Sequence, residues 1–151
     1  MSIQQVSWDQ IFETCQAYSL ILEDQKFTDI VAIARGGLLP AQLLGYSLRI
    51  KRIHSFGINF YEEDCAEGKM KLPFIYQQIT APLQDSKVLV VDEIVESGET
   101  FKYVLKHLKE NNLCKDITTF SVFYKPCSTY KPDHVGMEVD AKTWLGMPWD
   151  N

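Results

Sequence analysis

The sequence predicts an α/β domain with a largely parallel central sheet flanked by helices, and three stretches predict it. Asp29-Ile-Val-Ala-Ile-Ala34 is a β-branched run that stops at Arg35-Gly36-Gly37, after which Leu38-Leu39-Pro40-Ala41 opens a helical pattern with proline in its first turn. Val88-Leu-Val-Val91 is apolar without alternation, as in a strand covered on both faces. It runs into Asp92-Glu93, then the small-residue turn Glu96-Ser97-Gly98-Glu99-Thr100 and another helical pattern. Asp116 to Tyr124 is a further strand. The order β, α, β, loop, β, α, β is that of a parallel sheet with crossover helices, and it places the strand ends at Arg35 and Asp92 on one edge.

Each remaining element follows from local pattern. Ser7-Trp8-Asp9-Gln10 has the capping-box form, so a first helix is expected from about Trp8 to Glu23 with Ile11, Phe12, Cys15, Tyr18 and Leu22 at helical spacing. Arg49-Ile50-Lys51-Arg52 closes the second helix, where cations complement the helix dipole and a solvated cap is expected. Ile53 to Tyr61 has strand character. Glu62-Glu-Asp-Cys-Ala-Glu-Gly-Lys69 then breaks all periodicity, marking a mobile loop that is either a plain hairpin tip or an active-site lid. Pro73 to Thr80 would be a short returning strand, and Pro82 to Ser86 a turn. Phe101, Val104, Leu105 and Leu108 fall on one face of a helix closed by Asn111-Asn112, and His107, among lysines, is expected on its solvated side. Lys125-Pro126 ends the Asp116 strand, Tyr130 to His134 is a loop, and Val135 to Val139 would be a last strand. The tail from Thr143 to Asp150 is rich in large aromatics, so it either packs on the body or covers a ligand.

Composition narrows the class. At 151 residues the chain suits one domain, 1–151, that buries enough surface to fold without staples. A formal net charge of -5 argues against a general nucleic-acid binder. An acidic protein still binds a polyanion where magnesium and local N–H groups neutralise it. No stretch approaches the ~20 apolar residues of a membrane span, and Met1-Ser-Ile-Gln-Gln-Val lacks the pattern of a signal peptide. Cys15, Cys65, Cys114 and Cys127 lie far apart without CxxC spacing or zinc-type His partners, so reduced thiols in a cytoplasmic protein are expected.

Two loops hold the chemistry. Asp92 and Glu93 at the carboxyl end of a buried strand face the crevice where such sheets bind ligands, and paired acids there suit hydroxyl groups, a magnesium ion or proton transfer. The helix start after Ser97-Gly98 offers free backbone N–H groups to an anion. Gly36-Gly37 alone reads first as an ordinary strand-to-helix turn, and Arg35 beside it, a natural pyrophosphate partner, shifts the balance toward close approach to a ligand.

With both loops in view, the chain resembles the type I phosphoribosyltransferases. Val88 to Thr100 is similar to their signature for phosphoribosyl pyrophosphate: two acids, then an acid, a hydroxyl residue, a glycine, a variable residue and a threonine. Val6-Ser-Trp-Asp9, Arg35-Gly36-Gly37-Leu-Leu-Pro40, Phe123-Tyr-Lys125-Pro126 and Trp144 to Asp150 extend the likeness along the whole chain, toward the bacterial xanthine-guanine (6-oxopurine) branch. The resemblance implies transfer of a phosphoribosyl group to a purine with Mg2+ as cofactor, a flexible lid and a small C-terminal base-binding hood. It implies that Asp92 and Glu93 hold the ribose hydroxyls directly or through magnesium, and that the turn Glu96, Ser97, Gly98, Glu99, Thr100 holds the 5′-phosphate. Arg35 and Gly36 would contact pyrophosphate, the Asn59-to-Lys71 region would be the lid with Lys69 reaching the sugar phosphate, and Glu96 would be the catalytic acid or base. Trp144 would stack on the base, Lys125 would donate to its 6-oxo group, and the Leu145 carbonyl would accept from a ring or exocyclic nitrogen. Relatives form dimers or tetramers, so a homodimer or homotetramer is implied.

The chain departs from the family at several points. Glu96 stands where an aspartate is usual, Phe60-Tyr61 replaces a Ser-Tyr pair in the lid, and Glu99 takes the variable slot and would point outward. Gly146 and Lys142 replace acids, which leaves the choice among guanine, xanthine and hypoxanthine open. Glu96 and the missing serine also keep an alternative in play: a regulator that binds phosphoribosyl pyrophosphate with weak or lost catalysis.

Overall fold

The computed structural model describes residues 2–150. In chain order the elements are β1 (Ser2–Gln5), α1 (Trp8–Leu22), a 3-10 turn (Glu23–Gln25), β2 (Asp29–Ala34), α2 (Leu38–Leu48), β3 (Arg52–Cys65), β4 (Gly68–Gln77), β5 (Lys87–Val95), α3 (Glu99–Asn111), β6 (Asp116–Tyr124), β7 (His134–Glu138) and β8 (Thr143–Gly146). The main sheet has the order β4-β3-β2-β5-β6-β7. Every neighbouring pair in it is parallel except the β3–β4 hairpin. The α/β class and the largely parallel sheet agree with the sequence pattern.

The uninterrupted apolar run of β5 has the physical cause that its lack of alternation suggests. Val88, Leu89, Val90 and Val91 are all fully buried, Leu89 and Val91 against α1 and α2, Val88 and Val90 against α3. Each contributes about 1.5–3 kcal/mol by leaving water. The first helix begins where the capping box places it: Ser7 Oγ accepts from the Gln10 N–H at 3.1 Å, and Gln10 Oε1 accepts from the Ser7 N–H at 2.8 Å. Among the described residues no helix is long and apolar enough to cross a membrane, and all four cysteines are free thiols.

The structure departs from expectation at five points. The stretch from Glu62 to Lys69 is a hairpin tip, one of its two expected forms, but paired and not loose: β3 and β4 stay paired out to Cys65↔Gly68, with Gly68 at φ +122° closing the turn, so the returning strand runs from Gly68 to Gln77 and not from Pro73 to Thr80. The hairpin tip projects into solvent on both faces, so no burial imposes alternation. Its strands are joined by the backbone ladder, and the exposed pair Glu62–Lys69 at 3.2 Å crosses it diagonally, since Glu62 stands opposite Lys71. Arg52 is no solvated helix cap but the first residue of β3, and its Nε lies 3.0 Å from the buried Asp29 Oδ2. His107 is not simply solvated, because its ring lies edge-on to Phe56 at 5.0 Å and its Nε2 is buried. The chain ends form an unanticipated second sheet, β1 with β8, in parallel register from Ser2↔Thr143 to Gln5↔Gly146. β7 begins at His134, one residue before the expected Val135.

Candidate active site

The parallel register of β2 with β5, Asp29↔Val88 through Ala32↔Val91, brings the loop after Ala34 beside the acids after Val91. Backbone contact explains Gly37, whereas Gly36 faces only the flexible Glu93 side chain. A Cβ at Gly37 would lie 2.4 Å from the Val91 carbonyl oxygen, and one at Gly36 would lie 2.2 Å from Glu93 Cδ. Gly37 adopts φ -74°, open to any residue, so close packing and not left-handed backbone demands it. Arg35 and Gly36 form one wall of a cleft of about 600 Å³ completed by Trp8, Leu38, Leu39, Glu93, Trp149 and Asp150.

The acids sit where burial resists their charge. Asp92 Oδ1 accepts from the Glu93 N–H at 2.7 Å. Burial nonetheless pushes its carboxyl well above the usual range, with the charge of Glu93 adding to the rise. Glu93 is pushed up to about 7 by burial first and by Asp150 second, while the Trp149 indole N–H and Arg35 draw it back. One of its oxygens, Oε2, is buried without a hydrogen-bond partner. An orphaned carboxylate oxygen beside a second acid suits a hard cation, which relieves both the desolvation and the repulsion.

The turn after Val95 is braced from behind. Gly98 has φ +89°, and a Cβ there would lie 2.6 Å from Ser128 Oγ and 2.7 Å from the Tyr130 nitrogen. The Ser97 carbonyl accepts from the Thr129 N–H at 3.0 Å and from Thr129 Oγ1 at 2.8 Å, and the Val95 carbonyl accepts from the Lys125 N–H at 2.9 Å. Ser97 Oγ, one residue before the Gly98 N-cap of α3, accepts from the Glu99 N–H at 3.3 Å. Glu96, Ser97, Gly98 and Thr100 line a pocket of about 220 Å³ at the amino end of α3, where N–H groups and the helix dipole favour an anion.

A second pocket of about 220 Å³ adjoins it, lined by Glu93, Ile94, Glu96, Trp144, Leu145, Met147 and Asp150. Lys125, the residue after β6, does not line this pocket itself but touches one of its walls: its Nζ donates to Glu96 Oε1 at 2.6 Å. The Lys125 side chain is only 9% exposed and that of Glu96 52%. Leu145 is buried through the β1–β8 ribbon, whereas Trp144 stands out from it, 55% exposed. Asp150 Oδ2 folds the tail back by accepting from the Met147 N–H at 2.9 Å.

Of the residues singled out in the sequence, Arg35, Gly36, Asp92, Glu93, Glu96, Ser97, Gly98, Thr100, Lys125, Trp144 and Leu145 converge on this edge. Glu99 turns outward to Lys102 at 3.2 Å, in keeping with its slot. Asp92 and Lys125 lie behind the cavity walls and line none of the three cavities, and Lys69 lies out on the hairpin, paired with Glu62. Trp8, Thr129, Trp149 and Asp150 were not singled out as site residues. The aromatic tail signalled Trp149, whose ring lies 5.8 Å from that of Trp8, but which body segment it met was a matter of tertiary structure.

A family model described as a phosphoribosyl transferase domain matches residues 7–150. The chain belongs to that family. This phosphoribosyltransferase is 32% identical over 148 residues to the xanthine-guanine phosphoribosyltransferase of Gluconobacter oxydans, covering 96% of this chain and 83% of the relative. It is 30% identical over 145 residues to the protein of the same name from Chromohalobacter salexigens, covering 96% and 82%. Among solved structures, the purine phosphoribosyltransferase of Pyrococcus horikoshii matches with a TM-score of 0.88 at 27% identity, covering 100% of this chain and 96% of that one. Phosphoribosyltransferases generally use Mg2+ with their sugar-phosphate substrate. Among the described residues no group of three or more acidic, histidine or cysteine side chains forms a metal cage, and the Asp92–Glu93 pair fits a magnesium ion that takes one or two carboxylates and completes its shell with substrate oxygens.

Proposed function

We propose that this phosphoribosyltransferase transfers the 5-phosphoribosyl group from phosphoribosyl pyrophosphate to a 6-oxopurine, releasing pyrophosphate. The observation that supports it most is the position of Glu96, which lines both the phosphate pocket and the Trp144–Leu145 pocket and is tied to a buried lysine at 2.6 Å. A site that only bound a sugar phosphate would need no such aromatic platform. The names of the bacterial relatives point to the same substrate class.

In this reading the turn from Glu96 to Thr100 holds the 5′-phosphate with backbone N–H groups, and Asp92 and Glu93 hold the ribose hydroxyls or the metal. Bound magnesium would neutralise the pyrophosphate as it leaves. Arg35 stabilises the same developing charge from the other side, the electrostatic contribution that is usually largest. A purine ring nitrogen forms its bond to the anomeric carbon as the bond from that carbon to pyrophosphate oxygen breaks. Glu96, 52% exposed in its side chain, manages the proton on the opposite ring nitrogen.

Lys125 supplies specificity. It has three N–H bonds and no lone pair, and one N–H is taken by Glu96, so the others can point only at an acceptor. A 6-oxo oxygen satisfies them, whereas the 6-amino group of adenine sets donor against donor in a buried site. Incubation with magnesium, phosphoribosyl pyrophosphate and each of guanine, xanthine, hypoxanthine and adenine tests the proposal. Nucleotide should form from 6-oxopurines and not from adenine; tight sugar-phosphate binding with no nucleotide from any base would instead establish a regulator.

A further inference from the structure

We infer that Gln4 is a positioning residue for the purine, because its backbone fixes the strand that carries Trp144 and Leu145; the inference rests on the 6-oxopurine reading above. β8 lies outside the six-stranded sheet, and its one partner among the described residues is β1. A four-residue strand without that partner has no ladder to hold it. The Val6 N–H donates to the Gly146 carbonyl at 2.9 Å. Backbone groups alternate sides along a strand, so two residues back the Gln4 N–H addresses the Trp144 carbonyl, and the Gln4 carbonyl receives the Gly146 N–H. Gln4 thus bonds on either side of Leu145, which stands opposite it in the register.

The same alternation turns the Leu145 N–H and carbonyl off the other edge of β8, where no backbone group of the described residues meets them. No residue of β1 lines the base pocket, whereas Trp144, Leu145 and Met147 do, so β1 acts on a base only through β8. The strap is anchored at one end. Val6 is buried in the same core cluster as Leu145 and Met147, while Ser2, Ile3, Gln4 and Gln5 are all exposed. These four residues add no buried side chain to the core. What they supply is alignment: with the Gln4 bonds made, the Trp144 ring and the free edge at Leu145 are ordered before the base arrives, and binding need not order them.

The test compares Gln4→Pro with Gln5→Pro. Proline removes an N–H, which at position 4 belongs to the ladder and at position 5 points away from β8. Calorimetry on each variant gives the dissociation constants of ribose 5-phosphate and of the guanosine, xanthosine and inosine monophosphates. The ratio of the sugar-phosphate constant to the nucleotide constant isolates the base and cancels the phosphate turn. Gln4→Pro should lower that ratio roughly 3- to 10-fold, the size expected of one net hydrogen bond. It should raise the KM of the purine in proportion and leave ribose 5-phosphate binding unchanged, a split that general loosening of the protein would not produce. Gln5→Pro should keep the wild-type ratio. Deletion of residues 2–5 removes the ladder without inserting a proline; it should lower the ratio at least as far, and it reads the same role should Gln4→Pro not fold. A ratio unchanged by loss of the ladder, equal losses in the two proline variants, or equal weakening of nucleotide and ribose 5-phosphate would each overturn the role of Gln4 alone. A wild type in which no nucleotide binds more tightly than ribose 5-phosphate would overturn the 6-oxopurine reading and this inference with it.

Discussion

Lys125 Nζ and Glu96 Oε1 meet at 2.6 Å, so the residue that would grip the base and the residue that would move its proton form one unit. The pair unites a buried cation with a half-exposed acid. Glu96→Gln keeps shape and a hydrogen-bonding oxygen but removes the ionisable group. It should lower kcat by roughly 10²-fold while changing the dissociation constant of phosphoribosyl pyrophosphate only a few-fold. Equal losses in pre-steady-state turnover and in equilibrium sugar-phosphate binding would make Glu96 a binding group.

The carboxyl of Glu93, raised from 4.5 to about 7, binds a proton more tightly in the folded protein than in the unfolded chain. Folding therefore takes up a proton between those values, and the stability contributed by this residue is lost as pH rises through them. Asp92 is shifted in the same direction. Magnesium needs the ionised form, so its binding strengthens over the same window. Glu93→Gln should raise the melting midpoint at pH 8 by about 2–4 °C and shrink the fall in stability between pH 5 and pH 8. It should also weaken magnesium-dependent binding of phosphoribosyl pyrophosphate. Thermal melts at the two pH values and calorimetry with and without magnesium check both halves.

Asp29 lies at the opposite end of the sheet and shows the reverse sign. Burial alone would raise its carboxyl, but hydrogen bonds from His54, Thr28 and Ser86 and the charge of Arg52 outweigh it, holding it below the ordinary 3.8. The stability it supplies is complete above the unfolded value and is lost as pH falls through the folded one. Asp29→Ala removes the acceptor of the His54 and Thr28 hydrogen bonds, 2.7 and 2.8 Å long, and should cost about 2–3 kcal/mol in urea unfolding at pH 7. Arg52→Ala should cost at most about 1 kcal/mol, since that side chain is 58% exposed. Comparable losses in the two variants would mean that the guanidinium, not the buried acid, anchors β2 to β3.

These sites differ in how far local sequence reveals them. β2, β5, β6 and the turn at Gly98 are legible because burial on both faces and the demand for a positive φ each act on residue type locally. The outer half of β3 and β4 is not, because a hairpin standing in solvent has no buried face to impose alternation and is joined by backbone pairing that any residue type can make. The β1–β8 ribbon is equally hidden, since its strands are four residues each and come from opposite ends of the chain. His107 lies among lysines in sequence, yet Phe56 comes from a strand about a third of the chain away to cover it. Arg35, Asp92 and Glu96 were visible as chemistry, but the contribution of Asp150 to the Glu93 carboxyl depends on where the tail folds.

Gly98 offers a separation of backbone strain from contact. At φ +89° an alanine pays about 1–2 kcal/mol for left-handed geometry. Its Cβ would also press on Ser128 Oγ and on the Tyr130 backbone, which cannot swing aside as a flexible side chain would. Gly68 has φ +122° with nothing within 4 Å of the same atom, so Gly68→Ala isolates the strain. Gly98→Ala should lose about 2–4 kcal/mol, Gly68→Ala no more than about 2 kcal/mol, and only the former should weaken binding of phosphoribosyl pyrophosphate. The mechanism is specific: displacing residues 128–130 breaks the Thr129 bonds to the Ser97 carbonyl and lets the N–H groups of the turn diverge. Matched chemical denaturation and calorimetry decide it, and equal losses with unchanged affinity would show that the loop behind the turn does not hold its shape.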